Sequence, residues 1–361
     1  MSRLNLIFSR RLIRRIFAAV TMMTASSAVA QTTAEEDIPP EPDVLRIQHA
    51  GNAYAPIAAF FLRPWAAAVE RDSDGALLVE VHDSLGLGGG PAFQFDQVRE
   101  GVIDGGWFPA SILGDRYRAA MAMELPFMTD ISAARASRAA WEFVAATAPD
   151  EFDDVVLVAA HVNGPSAIHG RGKRLKTAAD FADVPIYARS PAMEAFLSRL
   201  GAVEVDTSEG DALKSLIRGR IEAMIAPWAE MPALDLLKHT KIQIEPAGTR
   251  SLSNMLNFFV LNRARVDALP QELRDVIARH SGIETSALAG QAMDQGTEIA
   301  RSRKERFPTT HLLMTATATA ALRETGGAVA ADWVAAREAA GEPAQAWVDL
   351  ARTLMERHAP R

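Results

Sequence analysis

Along most of the chain, short apolar runs alternate with longer stretches whose apolar positions recur every three or four residues. The first pattern predicts buried strands and the second amphipathic helices; their alternation predicts an α/β fold with a largely parallel sheet. Residues 45–49 read as the first strand. A helix follows over 54–71, with Asn52 placed to cap it and Pro64 placed to kink it. A second strand covers 77–82, a helix over 91–100 is closed by Gly101, and a third strand covers 103–107. The pattern then recurs, with strands over 155–160, 185–188 and 222–225 and helices over 191–200 and 208–218 closed by Gly201 and Gly219. Between them, Thr177-Ala178-Ala179-Asp180 resembles a helix-start box. Beyond residue 270 the pattern is helical, over 270–280, 283–306, 316–323, 329–340 and 343–358.

One detail repeats between the two halves. Val98-Arg99-Glu100-Gly101-Val102-Ile103-Asp104-Gly105 aligns with the stretch from Ile217 to Ala223 when one residue is dropped before the second glycine. In each copy a helix stops at glycine, a strand follows, and a tryptophan (Trp107, Trp228) is expected just past it. Ligands of open α/β sheets bind beyond the carboxyl ends of the strands. Two such domains facing one another would each bring an indole to a shared cleft; two indoles filling two domain cores fit the spacing equally well.

The first thirty residues are different in kind. Arg3, Arg10, Arg11, Arg14 and Arg15 precede an apolar stretch from Ile16 to Met23, and Ala28-Val29-Ala30 follows. This is the layout of an export signal, cleaved near Ala30, and the apolar part is shorter than the roughly 20 residues a membrane helix needs. Ser9-Arg10-Arg11 leaves the general and the twin-arginine routes both open. Residues 31–43, with Pro39, Pro40 and Pro42, read as a flexible leader.

Charge and composition narrow the classes. The chain carries 38 basic and 45 acidic residues, a formal charge of −7; without the five arginines of the signal, 33 basic residues leave −12. An acidic surface argues against nucleic acid as a partner, and any anion site must be a local basic pocket working against the overall field. The absence of cysteine removes disulfides, thiolate nucleophiles, cysteine metal sites and a lipid anchor at the expected cleavage site. No serine-nucleophile elbow, zinc-protease motif, P-loop or dinucleotide fingerprint is present, and the eight histidines include no pair at ligand spacing. No catalytic residue, metal site or cofactor is therefore expected. Leu87-Gly88-Gly89-Gly90, ahead of Pro91, fits either an anion cradle, with Gly89 at its centre, or a tight turn.

With these motifs in order, the chain resembles the solute-binding proteins of TRAP transporters of the DctP type. Gly88-Gly89 followed by Phe95 to Asp104, Arg116 followed by Glu124-Leu125-Pro126-Phe127-Met128, Lys176-Thr177 with Asp180-Phe181, Leu200-Gly201-Ala202, Pro227-Trp228, Thr240-Lys241, Leu261-Asn262 and Leu269-Pro270 carry the resemblance over nearly all of residues 44–282. It implies a periplasmic binding protein fold of the second type: two α/β lobes around a cleft, crossing strands, a long spanning helix and a helical tail. The lobes are expected at 44–160, 161–257 and 258–361, the last returning to the first lobe. The implied function is capture of a small organic acid by cleft closure and its delivery to the membrane subunits of the transporter, in the periplasm. A sensor feeding a signalling receptor, or an exported enzyme on the same scaffold, remains the alternative. The long helix over 283–306 would also suit a homodimer.

In that family an arginine just past a second-lobe strand commonly clamps the ligand carboxylate, because its planar fork matches two oxygens. Arg189 fits with a small gap, whereas an ungapped alignment puts Tyr187 there. Arg116, Trp107, Trp228, Asn52, Gly89, His169 and Asn257 complete the candidate ligand-binding set.

Overall fold

The computed structural model describes residues 41–148, 150–303, 307 and 309–360. The export signal and most of the leader lie outside these residues, as does the end of the helix expected to reach 306.

Ten strands form two five-stranded sheets. The strands are β1 (Asp43–His49), β2 (Leu77–His82), β3 (Gly105–Pro109), β4 (Val155–Val162), β5 (Ser166–Gly170), β6 (Ile186–Tyr187), β7 (Ala223–Pro227), β8 (Ile242–Glu245), β9 (Leu256–Asn262) and β10 (Thr310–Leu313). The first sheet runs β2-β1-β3-β9-β4 and the second β10-β8-β5-β7-β6. Eleven α-helices among the described residues surround them: α1 (Arg63–Asp72), α2 (Gln94–Arg99), α3 (Ala133–Thr147), α4 (Pro191–Arg199), α5 (Glu209–Ile217), α6 (Leu236–His239), α7 (Arg263–Asp267), α8 (Gln271–Arg279), α9 (Ile283–Arg303), α10 (Ala316–Ala339) and α11 (Ala344–Arg357).

Both sheets are mixed, which corrects the expectation of largely parallel ones. β1 pairs in parallel with β2 and β3, but β9 runs antiparallel to both β3 and β4. In the second sheet β5 runs against β7 and β8. The reason is topological. The chain leaves the first sheet at the end of β4, crosses over residues 163–165 into β5, and returns over 246–255 into β9. Each crossing strand enters its new sheet from the cleft side, opposite in sense to the strands that arrive through helices. β10, although far along the chain, pairs with β8 in the second sheet.

Local structure follows local chemistry. The helix expected over 54–71 begins instead with a π turn, Ala58–Leu62, before α1. Pro64 has no N–H to give to residue 60, and the widened turn absorbs the missing bond without a sharp kink. Asn52 Oδ1 accepts from Tyr54 N at 2.9 Å, closing a turn ahead of the helix. The start box at Thr177 is real but short: Asp180 Oδ2 accepts from Thr177 N at 2.8 Å over a single 3-10 turn. The helices expected at 316–323 and 329–340 are one helix, α10, running through Gly326 and Gly327.

α9 holds the two lobes in register. A Cβ on Gly290 would meet Ala133 O at 2.4 Å, and one on Gly296 would meet Pro56 Cγ at 2.5 Å and Ala229 Cβ at 3.2 Å. Those two glycines let the helix lie directly on α3 and between Pro56 and the turn after β7. No helix among the described residues is long and apolar enough to cross a membrane.

Candidate functional site

The repeated helix–glycine–strand unit sets up the site. Gly101 and Gly219 both adopt φ of +73°, ending α2 and α5 in the left-handed region that glycine enters without strain. β3 and β7 then each run five residues and end in proline, Pro109 and Pro227. In this register Trp107 corresponds to Ile225, and Trp228 to Ala110. The two tryptophans are not equivalent: Trp107 sits inside its strand and is half-buried, whereas Trp228 follows its strand and is 0% exposed.

Arg189 lies between β6 and α4. Ser190, in extended backbone, caps α4, its side chain accepting from Met193 N, so Arg189 stands just ahead of the helix. The Arg189 side chain is 14% exposed. Its Nη2 donates to Glu209 Oε1, its Nη1 pairs with Glu230 Oε2 at 2.5 Å, and the same nitrogen lies 3.7 Å from Met255 Sδ. Its Nε is buried with no partner among the described residues. Glu209 opens α5 behind the Ser208 cap, a favourable end for an acid, and Glu230 closes the 3-10 turn after β7.

From Glu230 a polar chain reaches the other lobe. Glu230 Oε1 accepts from Asn163 Nδ2 at 2.8 Å, and Asn163 Oδ1 accepts from Asn257 Nδ2 at 2.8 Å. Asn163 N donates to Asn254 Oδ1 at 2.8 Å. Asn163 is the first residue past β4, and Asn257 stands in β9 opposite His161. His161 Nε2 accepts from Trp107 Nε1 at 2.7 Å, and the two rings lie nearly parallel, 5.9 Å apart. Burial pushes the His161 pKa down to about 4, opposed by its hydrogen bond to Val162 O. The ring is therefore neutral near pH 7, with its proton on Nδ1 and Nε2 as the acceptor.

Trp107, His161, Asn257, Asn163, Glu230 and Arg189 thus form one connected set across the lobe junction. Tyr187, two residues before Arg189, ends β6 and is 7% exposed; burial raises its pKa while the Arg189 charge opposes the rise. Asn257 Oδ1 is buried and receives no donor. The set therefore carries an unused donor on Arg189 and an unused acceptor on Asn257, and the half-buried Trp107 indole joins it through His161.

The remaining residues singled out from the sequence lie elsewhere. Trp228 is enclosed in the second lobe between His169 and His311, both edge-on at 5.3 and 5.7 Å, with the Arg301 guanidinium over its face at 5.3 Å. His169 is in the middle of the second sheet, its Nε2 3.1 Å from Ala226 O, and burial lowers its pKa to about 4. Arg116 pairs with Asp96 at 2.7 Å and lies over the Phe95 ring. Gly89, at φ +85°, packs under Gln97, and the Gly88 carbonyl accepts from both Gln48 and Gln97. Those side chains fill the glycine loop as a tight turn. Asn52 is exposed and spent on its turn. The residues not foreseen are Glu209, Glu230, Asn163, His161 and Met255. The one sequence signal for Glu230 is its place two residues after Trp228, in the turn that the repeat defines.

Two mixed α/β lobes, linked by crossing strands and spanned by one long helix, have the architecture of a solute-binding protein. The family model for bacterial extracellular solute-binding protein family 7, DctP, matches residues 49–336, and the chain belongs to that family. A TRAP solute-binding protein from a marine metagenome, described as specific for aromatic acids and solved with metahydroxyphenylacetate, is 29% identical at a TM-score of 0.84, covering 88% of this chain and all of that one. A TRAP solute-binding protein from Rhodoferax ferrireducens, solved with copurified benzoate, is 27% identical at a TM-score of 0.82, covering 87% of this chain and 98% of that one. A Bordetella bronchiseptica protein solved with mandelate shares the fold at 22% identity, with a TM-score of 0.77 over 88% of this chain and all of that one. No curated protein matches the chain. The chain is an extracytoplasmic solute-binding protein of TRAP-type transport.

Proposed function

We propose that the solute is an aromatic monocarboxylic acid, clamped through its carboxylate by Arg189 and stacked near Trp107. The observation that carries this reading is the buried, unpartnered Nε of Arg189 beside an Nη2 held only by Glu209. Nε–H and the adjacent Nη2–H point the same way and form the edge on which a carboxylate binds through two parallel hydrogen bonds. A ligand carboxylate entering along that edge displaces Glu209 and satisfies both donors, while Nη1 stays with Glu230. Tyr187 flanks the guanidinium without replacing it. The half-buried Trp107 and the Met255 thioether offer the flat and the pliable apolar contacts that suit an aromatic ring. Asn257 Oδ1 offers an acceptor to a ring hydroxyl. The two similar solved structures with 29% and 27% identity hold aromatic acids, which supports the same class here.

Closure completes the site, because Arg189 belongs to one lobe and Trp107 and Asn257 to the other. A ligand touching both favours the closed form by its extra contacts there. Export through the signal at residues 1–30 to the periplasm, and hand-over of the unchanged acid to the membrane subunits, complete the proposal.

The test is the melting temperature of the signal-less protein against a panel of acids, since a ligand that binds only the folded state raises it by mass action. Benzoate, 3-hydroxybenzoate and 3-hydroxyphenylacetate should raise it, and sugar acids and aliphatic dicarboxylates should not. A rise with the aliphatic set alone would refute the aromatic reading.

A further inference from the structure

A second basic pocket lies away from Arg189, where the return crossing, α10 and α11 meet. It is a cavity of about 290 Å³, and Phe127, Arg250, Arg323, Gly327, Arg352 and Glu356 are among the residues that line it. Its walls come from both lobes. Arg250 stands in the crossing from β8 to β9, Phe127 packs on Phe196 of the second lobe, and α11 packs on α3 of the first.

Arg250 Nη1 donates to Met128 O at 2.8 Å, and the Arg323 guanidinium lies over the Phe127 ring at 5.1 Å. Neither forms an ion pair among the described residues. Burial and the nearby Arg250 charge both lower the Arg323 pKa, and no carboxylate opposes them. Arg352 faces Asp349 at 3.6 Å, and Glu356 is the one acid on the pocket wall. Three guanidinium groups against Glu356 on the wall and the Asp349 beside Arg352 leave one net positive charge at this concave space, in a chain whose net charge is −7.

Gly327 is the second observation. Glycine in a helix interior is unfavourable. Gly326 has a packing reason, because a Cβ there would lie 3.1 Å from Pro126 and 3.2 Å from Phe127. Gly327 has none: a Cβ there meets nothing within 4 Å, and the residue lines the pocket. A methyl group would fit here, but a side chain longer than alanine's would enter the pocket. Arg323 and Gly327 are four residues apart on α10 and share that face.

We infer that this pocket at the lobe junction binds a tetrahedral oxyanion, held by Arg250, Arg323 and Arg352. The positive balance of the pocket favours an anion, and guanidinium groups supplied by three chain segments suit a tetrahedral oxyanion. Bound there, the anion ties the crossing segment to both tail helices and stabilises the lobe junction independently of the solute at Arg189.

The test is calorimetric titration of the signal-less protein with inorganic phosphate and, separately, sulfate, at constant ionic strength maintained with chloride. Saturable binding is expected for the parent and equally for Gly327→Ala. Arg323→Gln, which removes a guanidinium that has no ion-pair partner among the described residues, should lose about tenfold or more in affinity. Gly327→Glu should abolish binding and raise the melting temperature in anion-free buffer, because its carboxylate takes the anion's place. A stronger response to phosphate identifies phosphate as the ligand, and a stronger one to sulfate identifies sulfate. Absence of saturable binding to the parent, or unchanged affinity in both Arg323→Gln and Gly327→Glu, would overturn the inference.

Discussion

Arg189 and Glu230 meet at 2.5 Å, and through Asn163 that pair is tied to Asn257 in the opposite lobe. The arginine is therefore oriented by one acid and capped by another. Glu230 holds Nη1 from a side that the polar chain fixes, whereas Glu209 stands on the edge that a ligand carboxylate needs.

That division of roles predicts opposite effects for two similar substitutions. Glu209→Gln removes a competing charge and should tighten acid binding by roughly tenfold, equivalent to about 1.4 kcal/mol. Glu230→Gln loosens the orientation of Arg189 and should weaken it. Parallel calorimetry on the two variants checks the pair, and equal effects of one sign would contradict the assignment.

The two tryptophans should separate just as clearly. Trp107→Ala should weaken acid binding by roughly tenfold to a hundredfold, the worth of burying much of an indole, and cost about 1–3 kcal/mol of stability by leaving the buried His161 Nε2 without its donor. Trp228→Ala should cost about 3–5 kcal/mol of stability, because it empties the space between His169, His311 and Arg301. Denaturant unfolding beside ligand titration distinguishes them.

Glu124 predicts a pH signature. It is buried, its Oε1 accepts from Leu256 N at 3.1 Å, and burial raises its pKa to about 7, opposed by that hydrogen bond. A carboxyl whose folded pKa exceeds its unfolded value holds its proton more tightly when folded. Its destabilising effect is absent below about pH 4.5 and grows to its full size as pH rises through about 7. His161 and His169 act in the opposite sense: their pKa values near 4 mean stability that is lost as pH falls from about 6.5 towards 4. Glu124→Gln keeps the acceptor for Leu256 N and removes the titration. The stability of the parent relative to this variant should therefore fall between about pH 5 and 7, by at most about 1.4 kcal/mol per pH unit. Urea unfolding at several pH values measures it, and a flat difference would refute it.

The fold was most legible where one residue type does one job. β2, the Ser208 cap, and the helix ends at Gly101, Gly201 and Gly219 follow directly from apolar runs, a side-chain acceptor and left-handed glycines. β5, β8 and β9 escaped notice because strands buried on both faces show no alternation, and β5 reads only Ser-Ala-Ile-His-Gly. Gly326-Gly327 looked like a break because sequence reports the cost of glycine in a helix but not the Pro126 and Phe127 packing that requires it. At the site, Arg189 was visible through its segment, but Glu209 and Glu230 stand 20 and 41 residues further on, and no spacing rule brings them to it. The equation of Trp107 with Trp228 failed by register: the strands match at Pro109 and Pro227, which offsets the indoles by three positions.

Arg189 is proposed to clamp the carboxylate of an aromatic acid. Calorimetric titration of 3-hydroxybenzoate into the signal-less parent and Arg189→Ala tests it most directly. Loss of a buried charge partner costs about 2–5 kcal/mol, so the variant should bind roughly thirtyfold to a few thousandfold more weakly while remaining folded. A folded Arg189→Ala protein that binds the acid within about threefold of the parent would remove Arg189 from the site.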